Sequence, residues 1–193
     1  MIGTAATRTA GTADEDHVIL LDSDGSPRGL APRATVHSID TPLHLAFSCH
    51  LVREDGAVLL TRRALSKRTW PGVWTNAFCG HPRQGESLEE AISRHAAGEL
   101  GLQVREVRPV LPDFRYRAVD ASGIVENEIC PVFTAIPQGQ PVPSPEEVMD
   151  LQWVTADELA ALARLAPWTF SPWAVAQLEQ LGEGVAVDGP RGA

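Results

Sequence analysis

Between Ala64 and Glu86 the chain reads ALSKRTWPGVWTNAFCGHPRQGE. Two Trp, a Cys, a His and several cations sit on short Gly and Pro turns, and the segment runs into a helix with Glu99 on its apolar side. Buried thiols, imidazoles and carboxylates are costly unless something pairs them. A fold for this chain must bring the loop and the helix together at a shared site.

The pattern around the loop predicts the elements. His17 to Asp22 reads as a strand, and Ser23 to Pro27 as a turn. Leu43 to Val52 and Ala57 to Arg62 read as two strands joined in a hairpin at Glu54-Asp55-Gly56. Ser87, with Glu90 three residues on, caps a helix that carries Leu88, Ala91, Ile92, His95, Glu99 and Leu100 at helical spacing and ends at Gly101. Strands are expected at Val104 to Leu111, Phe114 to Val119, Ile124 to Ala135 and Leu151 to Val154, and helices at Thr155 to Leu165 and Ser171 to Leu181. Mixed strands with few helices suggest an α/β sandwich. One domain is expected over 17–182, with disordered tails at 1–16 and 183–193.

Glu99 lies on the apolar stripe, four residues after His95, and must be paired, bind a metal or rise in pKa. A structural ion pair with Arg is the bland outcome; nearness to Cys79 and His81 favours a metal. Glu126 and Glu128 flank Asn127 on a strand, so both carboxylates share one face and repel unless a cation lies between them. His37, His44 and His81 are chemically sensible partners for such a cation, although their spacing alone forms no metal motif. Arg62, Arg63, Lys67 and Arg68 form a basic cluster just before the Trp-Cys-His loop, read either as a solvated face or as a diphosphate clamp. Of 16 cations Lys67 is the single Lys, and Tyr116 is the single Tyr.

Taken in order, ALSKRTWPGVWTNAFCGHP, Tyr116 to Ala118, Gly123 to Glu128 and Thr169 to Trp173 closely resemble type 1 isopentenyl-diphosphate isomerases, from about His17 to about Leu181. That family belongs to the Nudix superfamily, whose box reads G-x5-E-x7-R-E-U-x-E-E-x-G-U. Gly80, Glu86, Arg94, Glu99, Gly101 and Leu102 fit it, while His95 and Gly98 replace two glutamates. The resemblance implies a Nudix-like α/β/α sandwich with a mixed sheet in a single domain. It implies an allylic isomerase that converts isopentenyl diphosphate to dimethylallyl diphosphate in isoprenoid biosynthesis.

Residue by residue, the resemblance implies that His37, His44, His81, Glu126 and Glu128 bind Mn2+, Mg2+ or Zn2+, and that Glu99 binds a Mg2+ bridging to the diphosphate. Cys79 and Glu128 would be the catalytic pair on opposite faces of the substrate, completed by Tyr116 and Trp173. Glu128 reads as the better acid and the Cys79 thiolate as the better base, with both orders left open: His81 and the Gly80 turn can lower the thiol, unless the metal claims His81. Arg33, Arg63, Lys67 and His95 would hold the diphosphate. The runner-up is a Nudix hydrolase of a nucleoside diphosphate derivative, disfavoured by the missing glutamates; a non-catalytic diphosphate sensor leaves Cys79 unexplained.

A formal charge of −9 argues against a nucleic-acid or membrane partner, and no apolar run approaches a membrane span. Three cysteines without a secretion signal suggest reduced thiols and a cytoplasmic protein. The partner expected is a small-molecule substrate, and the protein is expected as a monomer.

Overall fold

The computed structural model describes residues 16–182 and Val185, so the expected tails at 1–16 and 183–193 lie outside the described residues apart from Asp16 and Val185. In chain order the elements are β1 (His17–Leu21), β2 (Pro27–Pro32), α1 (Arg33–Val36), β3 (His44–Leu45), β4 (Phe47–Leu51), β5 (Val58–Arg63), β6 (Trp74–Thr75) and β7 (Phe78–Gly80). They continue with α2 (Leu88–Leu100), β8 (Gln103–Leu111), β9 (Arg115–Val119), β10 (Val125–Ile129), β11 (Val132–Gln138), β12 (Val148–Val154), α3 (Ala156–Leu165) and α4 (Pro172–Leu181).

The helices begin where their caps predict. Ser87 and Glu90 form a reciprocal capping box on α2, and Gly101 ends it in the left-handed conformation at φ 62°. Thr155 and Glu158 repeat the box on α3. Ser171 caps α4, with Pro172 in its first turn.

The strands form three sheets, ordered β2-β1-β3-β10-β9, β7-β4-β11-β8 and β12-β5-β6. The expected hairpin between the strands flanking Glu54-Asp55-Gly56 does not form as such. The tight turn is present, with Gly56 N–H donating to Arg53 O, but β4 and β5 separate into different sheets after a single bridge, Val52 to Val58. Every residue of β4 is buried, and both its edges are taken by β7 and β11. The strand expected over Ile124 to Ala135 is likewise two strands. It breaks at Cys130-Pro131, where proline has no N–H to give a ladder.

Those two breaks lie side by side. β3 runs parallel to β10 in one sheet, and β4 runs parallel to β11 in the next. Ala46 N donates to Ile129 O and Ser48 N to Pro131 O, so the pairing continues through the bend. Strand β2, at the Pro27–Pro32 segment not expected to be extended, pairs along β1 and covers its outer edge.

Helices pack on both sides of the β8-containing sheet. Phe133 and Ala135 of β11 join Ile92, Ala96 and Leu100 of α2 in one core, while Val132 joins Trp173 and Ala174 of α4 in another. Alternation along one strand thus feeds opposite layers, giving the α/β/α sandwich. A third cluster joins Val58 and Leu60 of β5 to Leu159 of α3 and Phe170. No helix among the described residues is long and apolar enough to cross a membrane.

Candidate active site

The paired bend sets three groups in one row. Glu128 of β10 lies opposite His44 on β3 and opposite Tyr116 on β9. Glu126, two residues earlier on β10, shares the face with Glu128, and both are buried. The half-buried Asn127 points the other way and donates to Thr41 O.

His37, His44 and His81 come from three separate segments, with ring centroids 5.1 to 5.7 Å apart. One ligand atom from each, together with a Glu128 oxygen, fall within 4.8 Å of one another. Glu128 Oε1 is 3.4 Å from His44 Nε2 and 3.3 Å from His81 Nε2, and Glu126 Oε2 is 3.1 Å from His37 Nε2. Yet the Nε2 atoms of all three histidines are buried without a hydrogen-bond partner. His44 Nδ1 donates to Pro42 O at 2.9 Å, which leaves its Nε2 lone pair aimed into the cluster. Orphaned imidazole lone pairs converging with carboxylate oxygens fit a divalent cation. Burial alone would raise Glu128, but His44 and His81 hold it well below the usual carboxylate range. Burial dominates at His81 and lowers it.

Arg94 braces this cluster from α2. Its guanidinium makes a two-pronged contact with Glu86 at 2.7 Å and donates to His81 O at 3.0 Å, tying the loop backbone to the helix. Glu86 also accepts from Arg83 N. Arg94 and Glu86 are box residues whose task here is to hold His81.

Cys79, on β7, faces the same cleft, and its sulfur lies 3.0 Å from Ser48 Oγ and 3.3 Å from both Oδ1 and Nδ2 of Asn76. Burial pushes the thiol up to about 12, outweighing the hydrogen bonds from Ser48 and Asn76. The lowering expected from His81 and the Gly80 turn is therefore not what the structure gives: burial raises the thiol, and burial also lowers His81, which disfavours a cationic ring beside the sulfur. Tyr116 stacks on Phe114 and tilts toward Trp173, and burial holds its hydroxyl well above its usual range.

Trp173 Nε1 donates to Asn76 Oδ1 at 3.1 Å, which fixes the indole plane. Trp70 meets that ring edge-on at 5.3 Å, and its backbone takes an uncommon φ of 42°, pinned by Asp120 Oδ2 accepting from Trp70 N.

A cleft of about 820 Å³ opens over these groups. Its lining includes Cys79, Glu126, Glu128, Tyr116, Trp173, His37, His81, His95, Glu99, Arg33, Arg63 and Lys67. Of the site residues singled out in the sequence, His44 alone is missing from the wall, because it is fully buried behind it.

The basic residues already have partners. Arg33 pairs with Asp16 at 2.7 Å, and Lys67 pairs with Glu147. Arg63 donates to the carbonyls of Thr69 and Trp70, and its guanidinium sits 5.3 Å from the Trp173 ring. Glu99 lies outside the histidine cluster; its carboxylate is 2.6 Å from His95 Nδ1, and its charge also acts on Arg94. A Cβ on Gly80 would come within 2.3 Å of the His95 ring, so only glycine lets that ring sit where it does.

Ser48, Asn76 and Gln177 were not singled out in the sequence. Asn76 lies three residues before Cys79 in the same loop, a visible signal; Ser48 reaches the sulfur, and Gln177 reaches Ser48, only through the tertiary fold.

Comparison with known proteins gives the chain its family. The NUDIX domain family model matches residues 42–174. The chain is 60% identical over 164 residues to the isopentenyl-diphosphate Delta-isomerase of Agromyces mediolanus, covering 85% of this chain and 80% of that protein. It is 57% identical over 164 residues to the protein of the same name from Clavibacter michiganensis subsp. michiganensis, covering 85% and 84%. Among solved structures, DR0079 from Deinococcus radiodurans superposes with a TM-score of 0.60 at 19% identity, covering 80% of this chain and 91% of that one. A MutT protein from Methanosarcina mazei Go1 gives 0.57 at 21% identity, covering 75% and 96%; both are likenesses of fold.

Proposed function

The chain belongs to the NUDIX family and, within it, to the isopentenyl-diphosphate Delta-isomerases; from that premise we propose that Cys79 and Glu128 exchange the protons of the reaction. The enzyme moves the double bond of isopentenyl diphosphate to give dimethylallyl diphosphate. A proton adds to the terminal alkene carbon, using the π pair, and leaves a tertiary carbocation. A proton then leaves the neighbouring CH2, and its C–H pair becomes the new double bond. Nothing is oxidised or reduced overall.

The observation that carries the assignment is the convergence of Cys79, Glu128, Tyr116 and Trp173 on one cleft. Burial favours the protonated form of the Cys79 thiol, and His44 and His81 favour the charged form of Glu128, which supports the thiol as the acid, the alternative to the roles expected from the sequence. On this reading the thiol delivers the first proton and the Glu128 carboxylate removes the second. The Trp173 ring face, held by Asn76, stabilises the cation by about 2 kcal/mol when water is excluded. Bringing these groups into alignment lowers the barrier by roughly 7–11 kcal/mol.

His37, His44, His81, Glu126 and Glu128 would hold one divalent cation, Mn2+, Mg2+ or Zn2+, and Glu99 a Mg2+ at the diphosphate. When bound, such ions supply fixed positive charge beside Glu128 and the diphosphate oxygens. Arg33, Arg63, Lys67 and His95 would grip the diphosphate at the cleft mouth, Lys67 and Arg33 by leaving Glu147 and Asp16. Three free thiols support a reducing, cytoplasmic setting.

The deciding experiment follows isopentenyl diphosphate conversion by purified enzyme supplied with Mg2+ and Mn2+. Cys79→Ala and Glu128→Gln are each expected to lose several orders of magnitude in turnover while keeping the fold. Near-parental turnover in Cys79→Ala would sink the assignment.

A further inference from the structure

Behind the Cys79 sulfur runs a line of buried polar side chains that the reaction above leaves unused. Ser48, His50 and Gln177 are each at most 1% exposed. His50 Nε2 is 3.0 Å from Gln177 Oε1, Gln177 Nε2 is 2.8 Å from Ser48 Oγ, and Ser48 Oγ is 3.0 Å from Cys79 Sγ. Ser48 and His50 are alternate residues of β4 and share a face, and Gln177 reaches them from α4.

Hydrogen-bond polarity along this line is determined. Burial drops His50 to about 4, so its ring is neutral and carries one N–H. Facing an amide oxygen, Nε2 carries that hydrogen. The reverse tautomer would put it on Nδ1, which is buried without a partner, and would strand a donor in the core. The Gln177 amide is thereby fixed with its oxygen toward His50 and its NH2 toward Ser48. Ser48 Oγ accepts from Gln177 and, at 3.6 Å, from the Cys130 thiol. Its own hydrogen is left for the Cys79 sulfur. Asn76 Nδ2 lies 3.3 Å from that sulfur, but its two hydrogens go to Phe78 O at 2.7 Å and Cys49 O at 3.1 Å, and its Oδ1 is anchored by Thr75 Oγ1 and Trp173 Nε1, so Ser48 is the sulfur's donor.

We infer that Ser48 donates its hydroxyl hydrogen to the Cys79 sulfur throughout turnover, and that Gln177 and His50 are positioning residues that aim it. This rests on the reading of Cys79 as a proton-transfer group. When the S–H bond breaks, the proton goes to carbon and the electron pair stays on sulfur. Ser48 then faces the new charge with a donor already in place. Preorganised donors of this kind act on charge that develops during the reaction and need no rearrangement when it appears.

The test uses the full chain with Mg2+ and Mn2+, isopentenyl diphosphate as substrate, separate kcat and KM values, and thermal unfolding as a check on folding. Ser48→Ala is expected to lose about 10- to 100-fold in kcat with KM little changed, as for loss of a hydrogen bond to a charged group. His50→Leu should show a smaller loss of the same kind, and His50→Gln, which returns an N–H near the Nε2 position, should recover it. Parental kcat in folded Ser48→Ala, with Cys79→Ala inactive, overturns the inference. Equal impairment of His50→Leu and His50→Gln also overturns it, since packing alone would then explain both, and this pair decides the matter if Ser48→Ala does not fold. Near-parental turnover in Cys79→Ala removes the proton-transfer reading itself, so the two failures are told apart.

Discussion

Glu128 lies directly across the β9–β10 ladder from Tyr116, in the row that continues to His44 on the other side. Backbone register, and not side-chain flexibility, therefore sets the spacing between the carboxylate and the phenol. Tyr116→Phe keeps the ring packing on Phe114 and Trp173 and removes only the hydroxyl. Its expected outcome is a fall in kcat of about 10- to 100-fold, as for loss of a hydrogen bond to a charged group, with a melting temperature close to the parent's. Steady-state kinetics with isopentenyl diphosphate, alongside thermal unfolding, checks it.

Metal binding should be visible without any turnover. A cation that binds only the folded histidine cluster stabilises the fold by mass action. Titrating Mn2+ into metal-stripped enzyme is expected to raise the melting temperature progressively. His81→Ala should abolish most of that rise, and metal analysis after dialysis should show a matching loss of bound ion.

Gly80→Ala is expected to be disruptive although alanine is small. The added Cβ falls within 2.3 to 2.7 Å of three His95 ring atoms, so the ring must move and its contact with Glu99 must break. His95→Ala should relieve the clash. The double variant is predicted to melt higher than Gly80→Ala alone, a coupling read from a double-mutant cycle.

His50 gives a pH signature. Its folded pKa of about 4 lies below the ordinary 6.5, so the unfolded chain takes up a proton in a range where the native protein does not. The stability tied to its neutral form is full above pH 6.5 and is lost as pH falls toward 4. His50→Gln should flatten that part of the stability curve relative to the parent, as measured by denaturant unfolding across the interval.

Much of the site is legible in the sequence because its chemistry is concentrated. Cys79, Gly80 and His81 are adjacent, Glu126 and Glu128 reveal their common face through strand periodicity, and the caps of α2, α3 and α4 are explicit. The strand boundaries were less visible. Nothing local says that the chain crosses from one sheet to another at Ala46, and Pro131 marks its break only once the partner strand is known. The pairing of Glu99 with His95 follows from helical spacing, but whether the carboxylate would meet an imidazole, an Arg or a metal depends on what packs against α2. Gln177 could not be placed beside Ser48 by any pattern, since 129 residues separate them.

The side-by-side bend of the β3–β4 and β10–β11 pairs also bears on how the enzyme acquires activity. His44 meets Glu128 through a parallel contact between positions 44 and 128, far apart along the chain. Contacts of such separation carry a loop-closure cost before they return any stability, and they form late. Refolding enzyme should thus regain helical signal first and turnover only with its slowest structural phase. A fragment ending before β10 would contain Cys79, the three histidines and Glu99, yet would be unable to isomerise anything.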